Sequence, residues 1–235
     1  MITTVLFDLD GTLLPIDQNS FIKEYFEYLT MHMARYGYNP KRFYKTIYNG
    51  SVNMLTNNSG KTNEAVFWEC FTQEFGQDAL NDKPYFDEFY KISFIKLKKH
   101  CGFNPDARKI VYMLKDAGMR VILATNPLFP AVATESRIRW AGLDPTDFEF
   151  YTTYENSYHC KPSRAYYEDV LKDAGVDAGE CIMVGNDVSD DMPARDMGMK
   201  VFLLTDCLIN TRNTDISQYP NGGFKKLEEY LKNNI

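Results

Sequence analysis

The sequence predicts an α/β protein: a Rossmann-like parallel sheet flanked by helices, with an inserted all-helical domain. Two observations lead to this class. Short apolar runs, each followed by polar turn residues, alternate with helical patterns over the second half of the chain. Strands that alternate with helices in this way form parallel sheets covered by helices. The second observation is a long stretch after the first apolar run that contains only helical segments and loops.

Four short runs rich in apolar residues are predicted strands: Ile2–Phe7, Arg120–Ala124, Cys181–Val184 and Lys200–Leu204. Apolar residues at helical spacing predict helices between and after them: Pro105–Gly118, Ala131–Gly142, Arg164–Gly175 and a shorter one, Met192–Gly198. Ligands of parallel sheets bind beyond the carboxyl ends of the strands. The polar turns that follow these four runs are therefore expected to line one site.

The long stretch without strands carries helical patterns at Phe21–Tyr36, Asn63–Phe75 and Pro84–Lys99. We therefore expect a core domain at residues 1–16 and 101–235 and a helical domain at residues 17–100. This stretch is rich in aromatic residues, which are expected to form the helix core or, for a few of them, to line a pocket over the substrate. They include Phe21, Tyr25, Phe26, Tyr28, Tyr36, Tyr38, Phe43, Tyr44, Phe67 and Trp68.

Composition narrows the possible partners. The formal net charge of −6 argues against general binding of nucleic acid or of anionic membranes, since both favour basic surfaces. No run approaches the length of a membrane span and the N-terminus lacks a secretory pattern, so neither is expected. The five cysteines are odd in number and form no C-x-x-C pair, which favours reduced thiols in the cytoplasm. The oligomeric state stays open.

Two carboxylates, Asp8 and Asp10, lie where the first predicted strand ends. Such a pair can bind Mg²⁺, which prefers oxygen ligands. One carboxylate can also attack phosphorus while the other transfers protons. Gly11 permits the tight turn that follows. The alternative is a solvated acidic turn, but the apolar run before the pair and the Gly-Thr after it favour a site.

Three further turns carry polar residues suited to a phosphate group. Thr125 and Asn126 follow the second strand, where a hydroxyl and backbone N–H groups near a helix start can hold phosphate oxygens, although this is also a common turn. Lys161 precedes a predicted helix and could neutralise a phosphoryl group, or be a surface lysine. The third turn runs from Gly185 to Asp191 and contains Asn186, Asp187 and Asp190. Helix capping explains Asp190 and Asp191, whereas Asp187 is well placed as a metal ligand.

These four segments, in this order, resemble the motifs of the haloacid dehalogenase (HAD) superfamily of hydrolases, and the helical stretch is similar to the cap domain of that superfamily. They are Asp8-Leu9-Asp10-Gly11-Thr12, Thr125-Asn126, Lys161-Pro162 and Gly185-Asn186-Asp187 with Asp191. The resemblance implies a Mg²⁺-dependent phosphatase that acts on a small phosphorylated metabolite.

The resemblance also implies roles for the residues. Asp8 would be the nucleophile that forms an aspartyl-phosphate. Asp10 would protonate the leaving group and then activate water. Thr125, Asn126 and Lys161 would bind the phosphoryl group, and Lys161 would also steady Asp8. Mg²⁺ would be held by the Asp8 carboxylate, the Asp10 backbone carbonyl and an acidic residue of the fourth motif.

The fourth motif departs from the family pattern, because many members have Gly-Asp where this chain has Gly185-Asn186. Asp187 is the favoured third ligand. The alternative is Asn186 through its amide oxygen, with Asp191 or Asp190 acting through water.

Other activities of the superfamily fit less well. A dehalogenase would not need Asp10. A phosphonatase would need a lysine of the helical domain, and none of the candidates Lys23, Lys41, Lys45 and Lys61 is marked by its surroundings. A phosphomutase, or a binding module without catalysis, is a further alternative.

Overall fold

The computed structural model describes residues 1–235. Five strands are present: β1 Thr4–Phe7, β2 Arg120–Leu123, β3 Cys181–Gly185, β4 Lys200–Leu204 and β5 Asn221–Gly222. They form one sheet in the order β2-β1-β3-β4-β5, and every pairing is parallel. The predicted Rossmann-like parallel sheet is confirmed, with β1 beginning two residues later than expected.

Eight α-helices accompany the sheet: α1 Gln18–Ala34, α2 Pro40–Leu55, α3 Asn63–Phe75, α4 Lys83–Ile92, α5 Pro105–Asp116, α6 Ala131–Trp140, α7 Arg164–Ala174 and α8 Phe224–Lys232. Short 3₁₀ helices lie at Gln77–Asp82, Phe94–His100, Pro145–Asp147, Ala178–Glu180, Met192–Met197 and Ile216–Gln218. None of the helices is both long enough and apolar enough to cross a membrane.

Several details differ from the sequence prediction. The helix expected at Pro84–Lys99 is divided into α4 and a 3₁₀ helix at Phe94–His100. The one expected at Met192–Gly198 is wholly 3₁₀. Both β5, which is only two residues long, and the C-terminal helix α8 were missed.

The helix α2 was also missed, because its mixed composition hides its apolar face. Its start has ordinary signals: the Asn39 side chain accepts a hydrogen bond from the Arg42 N–H at 3.1 Å, and Pro40 is the first helical residue. Its packing depends on Gly50, where an added Cβ would lie 2.8 Å from the Phe67 ring. Gly50 therefore allows α2 to approach α3 closely.

The core lies on both faces of the sheet. Alternate residues of a strand point to opposite faces. Val5 and Phe7 accordingly belong to a cluster of 43 buried residues, whereas Leu6 belongs to a cluster of 15 on the other face. The larger cluster continues from the sheet into the helical segment. Phe94 is stacked on Trp140 of α6, with ring centroids 5.5 Å apart.

We call residues 17–100 the helical insertion. The chain enters and leaves it through two segments that pair with each other. Ile16 and Cys101 form an antiparallel bridge. The Asp17 N–H donates to the His100 carbonyl at 2.9 Å, and the Gly102 N–H donates to the Pro15 carbonyl at 2.7 Å. The chain thus enters and leaves the insertion at one paired connection, and the insertion contacts the core again where the Asn63 and Glu64 N–H groups donate to the Ser157 and Tyr154 carbonyls, at 2.8 and 2.7 Å.

Candidate active site

The turn after β1 places two carboxylates at the carboxyl edge of the sheet. The Asp8 N–H donates to the Val184 carbonyl of β3 at 2.9 Å, which prolongs the parallel ladder by one residue. Gly11 has a φ of +87°, and an added Cβ there would lie 2.2 Å from Nδ2 of Asn186. A glycine is required for both reasons. The first and fourth motifs therefore pack directly against each other.

Lys161 connects two buried carboxylates. Its Nζ donates to Asp8 Oδ1 at 3.0 Å and to Asp191 Oδ1 at 2.6 Å. Burial alone would lower the pKa of Lys161, but Asp191 and Asp8 raise it well above its ordinary value. The lysine is therefore a fixed positive charge beside Asp8. It is buried, so the alternative of a surface lysine is wrong.

The nucleophile candidate Asp8 lies in an environment that resists its ionisation. Burial raises its pKa to about 7, against Lys161, which lowers it, and with Asp191 and Asp10, which raise it further. Its second oxygen, Oδ2, accepts a hydrogen bond from the Thr12 hydroxyl at 3.2 Å. Both oxygens of Asp8 therefore have defined partners, which fix the orientation of the carboxylate.

Asp10 is held by a residue that sequence reasoning missed. Arg137 of α6 is almost fully buried, at 1% exposure. Its Nη1 forms an ion pair with Asp10 Oδ2, and its guanidinium lies 4.5 Å from the centroid of the Phe129 ring. The sequence did carry a signal, because Arg137 is a charged residue on the apolar face of a helix beside Ala133 and Ile138.

The two oxygens of Asp10 are not equivalent. Oδ2 contacts Arg137, whereas Oδ1 is buried and has no hydrogen-bond partner in the protein. Burial raises the pKa of Asp10, and Arg137 acts against that rise. An unpartnered buried oxygen is costly unless a ligand or a proton satisfies it.

The second motif lies beside this pair. The Thr125 backbone carbonyl accepts hydrogen bonds from the Thr152 and Tyr166 hydroxyls, at 2.6 and 2.9 Å. These bonds fix the position of the turn without using the Thr125 hydroxyl. The Asn126 amide donates to Asp190 Oδ2 at 3.4 Å, and its own Oδ1 is buried without a partner.

The carboxylates in the acidic turn of the fourth motif have different hydrogen-bond partners. Asp191 Oδ2 accepts the Asp187 N–H at 3.0 Å, while Oδ1 binds Lys161. Asp187 Oδ1 accepts the N–H groups of Ser189 and Asp190, at 2.7 and 3.2 Å. The predicted capping role therefore belongs to Asp187, which stabilises its own turn with one oxygen.

Asn186 uses both ends of its amide within the protein. The single proton of the Thr12 hydroxyl is shared between Asn186 Oδ1, at 3.0 Å, and Asp8 Oδ2, at 3.2 Å. The Asn186 Nδ2 donates to the Cys207 carbonyl at 2.7 Å. Burial raises the pKa of Asp187, despite the two N–H groups that bind it. Burial also raises the pKa of Asp190 to about 6, helped by Asp187 and Asp191.

All of the predicted site residues line one cavity of about 110 Å³ at the end of the sheet. They are Asp8, Asp10, Thr125, Asn126, Lys161, Asn186, Asp187 and Asp191. No three acidic, histidine or cysteine side chains converge there with the geometry of a closed metal site. Mg²⁺, however, usually keeps several waters and binds through one or two carboxylates. The structure therefore places the site residues predicted from the four motifs around one cavity.

The charges of this cavity suit a cation. Its five carboxylates, those of Asp8, Asp10, Asp187, Asp190 and Asp191, face a single basic lining residue, Lys161. Arg137 adds one more positive charge from behind Asp10. Burial is the main cause of the raised pKa of Asp8, and the neighbouring carboxylates of Asp191 and Asp10 raise it further. The donor set consists of oxygens, which Mg²⁺ prefers.

A second, larger cavity of about 500 Å³ adjoins the first. It lies between α1, α2, α3, α4 and the loop that follows Asn126. Three side chains line both cavities: Ile22 of the insertion, and Leu128 and Phe129 of that loop. None of the lysines considered for a phosphonatase, Lys23, Lys41, Lys45 and Lys61, lines either cavity.

Comparison with protein families gives a match over most of the chain. A family model described as haloacid dehalogenase-like hydrolase matches residues 2–198. No curated protein sequence gives a significant match.

Solved structures agree on the fold. A 2-haloacid dehalogenase from Pseudomonas syringae pv. Tomato is 22% identical, with a TM-score of 0.67 and 99% of each chain covered. A HAD phosphatase from Thermococcus onnurineus is 17% identical, with a TM-score of 0.59 and 98% of each chain covered. The HAD-hydrolase YfnB from Bacillus subtilis, bound to magnesium, is 20% identical with a TM-score of 0.55, covering 100% of this chain and 99% of its own. At these identities the likeness establishes a common fold.

Proposed function

Because the chain belongs to the haloacid dehalogenase-like hydrolases, we propose that it is a Mg²⁺-dependent phosphatase. It hydrolyses the phosphate monoester of a small metabolite through an aspartyl-phosphate on Asp8. The observation that carries this proposal is the second carboxylate. Asp10 lines the same small cavity as Asp8 and has one oxygen without a protein partner. Phosphoryl transfer needs such a group for proton transfer, and carbon–halogen hydrolysis does not.

The proposed first step is attack of an Asp8 oxygen on phosphorus. A carboxylate that approaches an anionic phosphate meets repulsion of about 4 kcal/mol at 4 Å and an effective dielectric near 20. The ammonium of Lys161, 3.0 Å from Asp8, offsets part of this repulsion. As the bond from phosphorus to the ester oxygen breaks, Asp10 donates a proton to that oxygen through Oδ1. In the second step Asp10 takes a proton from water, which attacks the phosphorus and releases phosphate.

The donors that fit Mg²⁺ are the Asp8 carboxylate, the Asp10 backbone carbonyl and the Asp187 carboxylate. Asp187 is preferred over Asn186 because Asn186 Oδ1 accepts a hydrogen bond from Thr12, whereas Asp187 uses only Oδ1 within its turn. Asp191 is committed to Lys161. Bound Mg²⁺ supplies positive charge that stabilises the transferring phosphoryl group. Thr125 and Asn126 lie where they can bind the phosphoryl oxygens.

The helical insertion is the cap of this enzyme, and residues 1–16 with 101–235 are its core domain. Support comes from the position of Ile22, which lines both cavities from the insertion side. A cover of this kind excludes water from the reaction and favours small substrates over proteins. All five cysteines are unpaired, which fits a reducing, cytoplasmic location.

Hydrolysis of 2-haloacids is the second candidate, favoured by the likeness to the Pseudomonas syringae dehalogenase. The ion pair between Arg137 and Asp10 also fits this reaction, because it favours the ionised form of Asp10 and dehalogenation needs no acid.

One preparation tests both candidates. Phosphate release from phenyl phosphate is measured between about pH 5 and 9 with Mg²⁺ and with a chelator, and halide release is measured from 2-chloropropionate. Turnover of phenyl phosphate that requires Mg²⁺ supports the phosphatase. Halide release that is insensitive to the chelator, without phosphate release, would replace it with the dehalogenase.

A further inference from the structure

The larger cavity has a composition unlike that of the smaller one. Of its 23 lining residues, 17 are hydrophobic, and nine of these are aromatic. They include Phe26 and Tyr25 of α1, Phe67 and Trp68 of α3, and Phe86 of α4. Many of the same rings pack edge to face, for example Trp68 on Phe86 at 5.1 Å between centroids. The walls are therefore held in place by one another, as in a preformed apolar pocket.

Four charged groups line this cavity: Lys83, Glu64 and Glu155 are paired or engaged, and the fourth, Asp87, is an exposed carboxylate. Lys83 is its only basic residue, and its Nζ donates to Glu64 at 3.0 Å. Glu155 accepts the Ala131 N–H, at 3.0 and 3.1 Å to its two oxygens, and so caps α6. A carboxylate or a second phosphate of a substrate would find no free cation here. Burial of an unpaired anion is strongly unfavourable.

The two cavities are continuous in their lining but differ in size. The smaller, about 110 Å³, has room for a phosphate group and little else. Ile22, Leu128 and Phe129 line both cavities and lie between them, so a substrate that occupies both would contact these three side chains. At about 500 Å³ the larger cavity falls in the range of sites that enclose a whole small-molecule ligand.

We propose that the substrate is the phosphate monoester of an apolar alcohol with more than one ring. Its phosphate lies against Asp8 and Lys161, and its ring system lies in the aromatic cavity. The inference rests on the proposed phosphatase function and adds the substrate class. It disfavours sugar bisphosphates and phosphorylated organic acids, because each carries a further anionic group for which the cavity has no free cation.

The test compares two aryl esters whose leaving groups have similar acidity, 2-naphthyl phosphate and phenyl phosphate. Phosphoglycolate, an alkyl ester with a second anionic group, is measured beside them, and phosphate release is followed for all three. We expect kcat/KM to be at least tenfold higher for 2-naphthyl than for phenyl phosphate, and lowest for phosphoglycolate. A ratio near one, or a preference for phosphoglycolate, would overturn the inference while leaving the phosphatase function intact.

A variant that fills the large cavity tests whether this cavity causes the preference for 2-naphthyl phosphate. Val52 lies on α2 at the rim of the large cavity and is 38% exposed, so Val52→Trp can place a ring in the cavity without disturbing the core. The ratio of 2-naphthyl to phenyl turnover should fall at least fivefold. The matched control is Ile92→Trp, at a 52% exposed position of the insertion that lines neither cavity. The control should keep the wild-type ratio, and an equal fall in both variants would overturn the inference.

A binding measurement separates failure of the inference from failure of the proposed function. Calorimetric titration with 2-naphthol needs no catalysis. Binding that Val52→Trp weakens and Ile92→Trp preserves supports the cavity as the alcohol site. If no ester is hydrolysed but this pattern holds, the phosphatase function fails and the apolar site stands. If 2-naphthol does not bind, the apolar site fails.

Discussion

The two cavities that meet at Ile22, Leu128 and Phe129 are built by opposite means. The smaller is charged, and its side chains are fixed by ion pairs and hydrogen bonds between residues far apart in the chain, such as Lys161 with Asp8. The larger is apolar, and its walls are fixed by contacts between aromatic rings. Chemistry that moves charge needs preorganised charges, whereas selection of an apolar group needs only shape and exclusion of water. The core of the fold is thus suited to the reaction and the insertion to selection.

The largest effect on turnover is expected at Asp8, in the charged cavity. Asp8→Asn should reduce phosphate release by about 10⁴-fold or more, because the amide cannot act as the nucleophile. Since Lys161 still has Asp191 as a partner, the variant should stay folded by circular dichroism. Turnover close to that of the wild type would remove Asp8 as the nucleophile.

Substitution of one lysine in each cavity should show how differently the two regions depend on charge. Lys161→Met removes a buried charge that two carboxylates share and should lower kcat by about 10²- to 10³-fold. It should also lower the free energy of unfolding by about 3 kcal/mol, because uncompensated carboxylates remain buried.

Lys83→Met is the matched change in the insertion, where the side chain is 44% exposed. Its pair with Glu64 should be worth less than about 1 kcal/mol in the free energy of unfolding. Urea unfolding of both variants measures the contrast, and equal losses would contradict it.

Arg137 is predicted to position Asp10. Arg137→Met should lower kcat by about 10- to 100-fold. Because the guanidinium lowers the pKa of Asp10, its removal should raise that pKa and move the alkaline limb of the kcat profile to higher pH. The control is Arg139→Met on the same helix, where an exposed arginine pairs with Glu135 and should leave the profile unchanged. If the alkaline limb of the kcat profile does not shift in Arg137→Met, Arg137 contributes only to packing.

The last prediction concerns the stability of the metal-free protein as a function of pH. The pKa of Asp8 is raised from 3.8 to about 7 on folding, so the folded state binds the proton more tightly. This contribution to stability is complete below about pH 4 and is lost as pH rises to about 7. Urea unfolding in a chelator should show the loss in the wild type and a smaller one in Asp8→Asn. Parallel profiles would contradict the assignment.

The sheet and the motif positions were predictable because each depends on local sequence. An apolar run followed by a polar turn marks the end of a strand wherever it occurs, and four such turns in one parallel sheet must meet at one edge. Asp8, Asp10 and Thr125 were found in this way, whereas Lys161 was found from its place before a predicted helix. The expectation was wrong for the turn after the fourth run, because Thr205 and Asp206 do not line the small cavity. The role of Arg137 could not be, because its partner Asp10 is 127 residues away and no local pattern records that contact.

The same limit applies to the insertion and to the metal ligands. The aromatic residues had two interpretations, core and pocket, and both occur: Phe43 is fully buried, whereas Phe67 lines the large cavity. Which aromatic residues are buried in the core and which line the cavity depends on the position of α2, and the sequence did not reveal this helix. Similarly, the engagement of Asn186 depends on Thr12 and on the Cys207 carbonyl, which lie in other turns.

The paired connection at Ile16 and Cys101 has a kinetic consequence. Hydrogen bonds between the two connecting segments hold them side by side. The insertion is tied to the core a second time by the Asn63 and Glu64 N–H groups, which donate to the Ser157 and Tyr154 carbonyls at 2.8 and 2.7 Å. A movement that carries Ile22 away from Leu128 and Phe129 would open both cavities together and would also break this second set of bonds. A ring system bound between the insertion and the core would oppose that movement. Product release and access of the next substrate would then share one rate, set by how long the apolar group stays bound.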